Sequence, residues 1–251
     1  FDIKPHVDLD IMVCNQTLAE LSANLCQKLD PLFKNNPCHA ILAVGDTTTV
    51  FISALIAFYQ NIPFGHIEAG LRTANLREPF PEEMNRILTA PLSTWSFVPT
   101  YAEKQTLLRE NIASETIFIT GNPVVDALYW VLKHKTCQIV VPGTDYFILV
   151  TMHRRENIGK RMDEICSALR SLCSMYPRIT LVLPLHPNPK VQLVIKKNLQ
   201  NIPQIKLLPS LRYDSFIQLM SKAFMVITDS GGIQEEAQAL KKPVVIIRNI
   251  T

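Results

Sequence analysis

Phe224-Met225-Val226-Ile227-Thr228-Asp229-Ser230-Gly231-Gly232-Ile233-Gln234-Glu235-Glu236 contains an apolar run, a turn of small polar residues, and the start of a helical pattern that continues through Ala237 and Leu240. The run at 224–227 has the length of a short buried strand. A strand that turns through Ser-Gly-Gly into a helix leaves several backbone N–H groups unpaired at the helix start. Glycine lets a ligand approach them, and the helix dipole favours negative charge there. A tight turn capped by Ser or Asp accounts for the same residues about as well. Glu235 and Glu236 shift the balance, because a carboxylate one turn on can accept two vicinal hydroxyls while the helix start holds phosphate. That combination suits a nucleotide, and a nucleotide sugar in particular.

The same strand-turn-helix alternation extends through the chain. Upstream, Leu18, Leu21, Leu25 and Leu29 recur at helical spacing, and strands are predicted at 40–44, 64–67, 95–98 and 116–119. Helices are predicted at 50–59, from Pro81-Glu82 to 88, at 102–109 and at 124–132, with proline tolerated in a first helical turn. Periodicity is lost toward Pro142-Gly143 and then restarts: strands at 147–151, 180–183, 205–208 and 224–227, a last strand after Pro243, and helices between them. Short apolar strands alternating with helices predict an α/β fold of parallel sheets covered on both faces. We read residues 1–135 as a first domain, 136–144 as a linker and 145–251 as a second domain, with a cleft implied between the two.

Bulk properties agree. The 251 residues with 47% hydrophobic content can bury two ordinary cores, and a net charge of +3 is too small to imply nucleic acid. No apolar run approaches the length that crosses a bilayer. Six cysteines, at 14, 26, 38, 137, 166 and 173, show no C-x-x-C spacing and read as reduced core residues of a cytosolic protein. The chain has no initiator methionine and stops just after its last strand, which suggests a piece of a longer protein.

Ligands of open α/β sheets bind at the carboxyl ends of strands, and the polar clusters all fall there. Gly45-Asp46-Thr47-Thr48-Thr49, Glu68-Ala69-Gly70-Leu71-Arg72-Thr73, Gly121-Asn122, Met152-His153-Arg154-Arg155-Glu156-Asn157 and 228–236 each follow a predicted strand. Asp46 fits either a helix cap or a carboxylate presented at the sheet edge. Glu68 falls where strand becomes loop, and a partly buried glutamate there would pair with Arg72 or Arg77. The dipole explains one of Glu82 and Glu83 at a helix start, leaving Glu82 free to join Asp46 and Glu68. Carboxylates sharing a site push each other's proton affinities apart, so that one holds a proton while another accepts one. His66 reads as a packed histidine. His153, beside Arg154 and Arg155, suits phosphate binding or proton transfer, and His186 fits a structural or a functional role. No H-x-x-H, H-E-x-x-H, G-x-G-x-x-G or Walker lysine pattern is present, so neither a metal nor a nicotinamide cofactor is expected.

These motifs, together with Pro79-Phe80-Pro81-Glu82-Glu83-Met84-Asn85-Arg86 and Gly121-Asn122-Pro123-Val124-Val125-Asp126-Ala127-Leu128, occur in an order and spacing that resembles the non-hydrolysing UDP-N-acetylglucosamine 2-epimerases of bacteria. The resemblance implies two Rossmann-like domains with parallel sheets facing across a cleft, a GT-B-like arrangement. It also implies interconversion of UDP-N-acetylglucosamine and UDP-N-acetylmannosamine by UDP elimination and re-addition through a 2-acetamidoglucal. By motif, Asp46, Glu68 and Glu82 carry over as acid/base carboxylates and His153 as a phosphate contact that aids UDP departure. Ser230, Gly231 and Gly232 carry over as the diphosphate turn, Glu236 as the ribose contact, and Phe216 and Arg248 as further UDP contacts. Arg72, Arg154, Arg155 and His186 are candidates for a supporting role or a second site. The partner implied is the UDP-sugar alone, acted on by a cytoplasmic homodimer without cofactor. The family's Gly-Thr-Arg-Pro-Glu loop and its Thr-Glu-Arg-Pro-Glu segment are not in this sequence, and Leu211 or Arg212 stands where the family often has a glutamine near uracil. A hydrolysing relative that releases UDP and N-acetylmannosamine, and a non-catalytic UDP-sugar-binding module, are the alternatives.

Overall fold

A computed structural model describes residues 3–13, 15–135, 146–152 and 159–247. The predicted linker at 136–144, the histidine at 153, the arginines at 154 and 155 and the arginine at 248 lie outside these residues. The chain forms two compact units, Phe1–Asn122 and Pro123–Thr251, each built on a parallel sheet.

The first unit contains α1 (Leu18–Asn35), β1 (Ile41–Val44), α2 (Thr48–Tyr59), β2 (Phe64–Ile67), α3 (Glu82–Thr89), β3 (Trp95–Val98), α4 (Tyr101–Arg109) and β4 (Ile117–Ile119). Its strands are parallel in the order β1-β2-β3-β4. Reciprocal capping boxes start two of its helices, Thr17 with Glu20 on α1 and Thr100 with Glu103 on α4. Phe64 packs with Val50, Ala54 and Ala57 of α2, while Val98 and Ile117 pack with Leu107 of α4, so these helices share one face of the sheet. On the other face Leu42, Val44 and Phe118 are 60%, 54% and 43% exposed. The expectation of a sheet covered on both faces therefore fails for this unit, where no described helix packs over those side chains. Leu42 and Phe97 close over Gly65 instead, where an added Cβ would meet Leu42 Cδ2 at 2.5 Å.

The second unit contains α5 (Pro123–His134), β5 (Ile148–Thr151), α6 (Lys160–Met175), β6 (Leu181–Pro184), α7 (Pro189–Leu199), β7 (Ile205–Leu208), α8 (Tyr213–Lys222), β8 (Met225–Thr228), α9 (Gly231–Ala239) and β9 (Val244–Ile246). The strand order is β7-β6-β5-β8-β9, all parallel. Here both faces are covered, because the strands alternate their side chains between two layers. Ile148, Val150, Leu181 and Leu183 pack against α6 and α7, and Leu149, Val182 and Val226 against α5, α8 and α9.

Helix α5 corrects the boundary read from the sequence, which placed it in the first domain. Its buried Leu128 and Val131 pack with Ile217, Met220 and Ala237, and the Tyr129 hydroxyl donates to the Ala239 carbonyl at 2.8 Å. Periodicity reveals that a helix has an apolar face but not which neighbour covers it.

Among the described residues Cys26, Cys38, Cys166 and Cys173 are free thiols. Burial pushes the Cys166 thiol up to about 11, with Asp163 adding to the effect, so it is an inert core residue. No His, Cys, Asp and Glu cluster able to hold a metal occurs among the described residues, and none of the described helices is long and apolar enough to cross a membrane.

Candidate active site

The second sheet locates a site by topology alone. Strand order reverses between β5 and β8, and ligands of such sheets sit outside the carboxyl ends of the strands at that switch point. Thr151 and Thr228 end the two strands in register, and their buried hydroxyls meet at 2.6 Å. A cavity of about 410 Å³ opens there, lined by residues that include Met152, His186, Leu211, Phe216 and Ser230. That is within the roughly 300–1,000 Å³ common for small-ligand sites. A larger hollow of about 620 Å³ lies toward the amino ends of the same strands. Its lining, which includes Phe147, Leu172, Ile179 and Phe224, is mostly apolar, with Arg178 as its single charged residue.

The turn between β8 and α9 is open rather than capped. Ser230 occupies the N-cap position of α9 but its side chain makes no capping hydrogen bond, and its own N–H donates to Thr228 Oγ1 at 3.0 Å. A Cβ placed on Gly232 would meet no atom within 4 Å. The helix start thus keeps unpaired donors beside free space, which is the arrangement that binds anions. One turn further, Glu236 is 5% exposed, and Tyr213 donates its hydroxyl to Glu236 Oε1 at 2.8 Å. Burial raises the Glu236 carboxyl above its usual range, the Tyr213 hydrogen bond partly opposes that, and Glu235 adds to it.

The carboxyl ends of β1 and β2 carry the other cluster. Gly45 adopts φ +88°, and its N–H and carbonyl are held by the Ile67 carbonyl and by His66 Nε2, at 3.0 and 2.7 Å. Thr47, not Asp46, caps α2 by accepting from the Val50 N–H. Asp46 is instead gripped by Arg86, whose Nε and Nη2 both donate to Oδ2, at 3.0 and 2.6 Å. Asn85 Nδ2 donates to the Asp46 carbonyl at 2.9 Å. Glu68 has φ +67°, a left-handed conformation that an L residue adopts only where its surroundings impose it. Its Oε1 accepts from Asn122 Nδ2 at 3.3 Å, and its Oε2 lies beside Gly45.

The paired glutamates on α3 separate cleanly. Glu83 is fully buried: Oε1 accepts from the Thr73 and Ala74 N–H groups at 2.9 and 3.2 Å, and Oε2 from Arg86 Nη1 at 3.2 Å. Glu82 is half-buried and makes no hydrogen bond or ion pair among the described residues. The sequence explained one glutamate by the helix dipole, and the structure gives that residue, Glu83, a larger structural task.

One expectation needs correction. Arg72 does not serve Glu68, because its Nε and Nη2 donate to the two oxygens of Glu110, both at 2.7 Å. Of Leu211 and Arg212, the two residues that stand where the family often has a glutamine, Leu211 lines the cavity and the Arg212 side chain is 89% exposed. His66 is the packed histidine that was expected, 1% exposed, with burial lowering its pKa. Arg86, Asn85 and Tyr213 have no role in the reading from sequence. Arg86 was the most findable, since it falls four residues after Glu82 and three after Glu83, on the same side of the helix.

A family model for UDP-N-acetylglucosamine 2-epimerase matches residues 1–251. The UDP-N-acetylglucosamine 2-epimerase of Escherichia coli O157:H7 is 42% identical over all of this chain and 70% of its own length. The crystal structure of UDP-GlcNAc 2-epimerase from Neisseria meningitidis bound to UDP-GlcNAc matches with a TM-score of 0.92 and 42% identity, over all of this chain and 70% of that one. That of Methanocaldococcus jannaschii UDP-GlcNAc 2-epimerase, in complex with UDP-GlcNAc and UDP, matches at a TM-score of 0.85 and 31% identity, over 99% and 70%. With its two Rossmann-like units and the motif series on their strand ends, the chain belongs to the UDP-N-acetylglucosamine 2-epimerase family.

Proposed function

We propose that this protein interconverts UDP-N-acetylglucosamine and UDP-N-acetylmannosamine without consuming water. The observation that carries the proposal is Glu82, a half-buried carboxylate that makes no hydrogen bond or ion pair among the described residues, next in sequence to the engaged Glu83 and one turn before Arg86, which grips Asp46. Relatives whose crystals hold UDP-GlcNAc or UDP support the substrate class.

The C2 proton of the sugar is not beside a carbonyl, so a base alone does not release it. Cleavage of the C1–O bond leads, and the bonding pair leaves with the UDP oxygen. C2 then gives its proton to a carboxylate and the C1–C2 double bond of 2-acetamidoglucal forms. In the return, a proton adds to the opposite face of C2 and the UDP oxygen re-forms its bond to C1. Nothing is oxidised or reduced, and no water enters the balance.

The second unit binds the leaving group. The open start of α9 at Ser230, Gly231 and Gly232 holds the diphosphate as its charge grows, Glu236 takes the ribose, and Phe216 lies along the base. His153 and Arg248 are assigned to UDP by motif, and Arg154, Arg155 and His186 to its surroundings. In the first unit Glu82 and Glu68 exchange the C2 proton. Asp46, with Oδ2 occupied by Arg86, offers Oδ1 to the sugar.

Turnover in deuterium oxide followed by NMR tests the reaction. Deuterium is expected at C2 of both UDP-sugars, with no free sugar. UDP and N-acetylmannosamine accumulating together would establish the hydrolytic reaction instead, and UDP binding with no exchange would leave only a binding module. For the cradle, Ser230→Ala is expected to weaken UDP binding by about 1 kcal/mol, the worth of one hydrogen bond. Calorimetry measures this, and unchanged affinity would remove the hydroxyl from the site.

A further inference from the structure

Tyr213 stands at the start of α8, and the motifs assign it nothing. Its hydroxyl spans 23 residues of sequence to donate to Glu236 Oε1 at 2.8 Å, tying the start of α8 to the second turn of α9. The residue is 37% exposed and lines the same cavity as Ser230, Phe216 and Ile233. Ile233 and Glu236 lie three residues apart on α9 and so share a side of the helix. Glu236 Oε2 has no partner among the described residues, although the residue is 5% exposed. An acceptor oxygen with no protein partner, on a residue that is largely but not wholly buried, can be completed by a donor from outside the protein.

Glutamate has three rotatable bonds, so a helix position alone does not aim its carboxylate. A donor fixed on a second helix does. Tyrosine suits that task because its rigid ring carries the hydroxyl at a set distance from the backbone and its remaining surface walls the cavity.

We propose that Tyr213 is a positioning residue for ribose recognition: by occupying Oε1 of Glu236 it presents Oε2 to a ribose hydroxyl of the nucleotide. This rests on the assignment of the β5/β8 cavity to UDP.

The test is the affinity for UDP, 2′-deoxy-UDP and 3′-deoxy-UDP, measured by calorimetry on the unaltered protein, Tyr213→Phe, Glu236→Gln and the double variant. Tyr213→Phe keeps the ring, so its melting temperature should stay close to that of the parent. The unaltered protein is expected to favour UDP over at least one deoxy analogue by about tenfold, the worth of a hydrogen bond to a charged group. In Tyr213→Phe that ratio should fall toward one through weaker UDP binding, with the affinity for the discriminated analogue unchanged. In the Glu236→Gln background the tyrosine substitution should have no further effect on the ratio. An undiminished ratio in Tyr213→Phe overturns the proposal, whether all affinities fall together or none does. UDP bound as well as both analogues by the parent overturns the ribose role of Glu236 and Tyr213 alike, while leaving UDP binding intact. No UDP binding by the parent overturns the UDP assignment itself.

Discussion

Glu82→Gln is expected to slow deuterium exchange at C2 by about 10²–10⁴-fold, the usual contribution of a positioned acid or base, while UDP affinity and thermal stability stay at parental values. Glutamine matches glutamate in size but neither takes nor yields a proton at this position. Because Glu82 makes no hydrogen bond or ion pair among the described residues, its amide removes no contact from the fold. The combination is diagnostic. A structural residue would lose stability, and a binding residue would lose UDP affinity. Exchange at the parental rate would take Glu82 out of the reaction and leave Glu68, already held by Asn122, as the remaining carboxylate of the pair.

Much of this site was legible in the sequence because strand ends are. Short apolar runs, several of them followed by Gly, Asp, Glu or Ser and then a helical period, place polar residues at carboxyl ends without any knowledge of strand order. Strand order was not legible. The switch point between β5 and β8, which independently selects Thr151, Met152 and Ser230, appears only once the strands are paired. Partner choice was equally hidden. Arg72 and Arg86 look alike in sequence, both near acidic residues, yet one is spent on Glu110 and the other on Asp46 and Glu83. The assignment turns on the path of the 70–80 loop, where Ala74 adopts φ +62° and no periodic signal exists. Helix α5 shows the same limit at larger scale, with its apolar face evident and its partner unit not.

Glu83→Ala should be the most damaging single change in the first unit, lowering its stability by about 3–5 kcal/mol, the range for breaking a buried ion pair by removing one partner. Three groups lose their acceptor together: the Thr73 and Ala74 N–H groups and Arg86 Nη1. The Arg86 side chain is 15% exposed, so its guanidinium is left with Asp46 as its only carboxylate partner among the described residues, in a poorly hydrated place. The two freed N–H groups lie at 73–74, and the loop they anchor leads into Glu82. Activity should therefore fall as well, but for a reason opposite to that of Glu82→Gln. The two tryptophans separate the causes, since Trp95 lies on β3 of the first unit and Trp130 on α5 of the second. With Trp130 replaced by phenylalanine, urea unfolding followed by Trp95 fluorescence reports the first unit alone. An early shift of that transition in Glu83→Ala, and no shift in Glu82→Gln, is the expected result. Equal midpoints for Glu83→Ala and the parent would mean that the carboxylate does not hold the loop, and the division of labour between the adjacent glutamates would be lost with it.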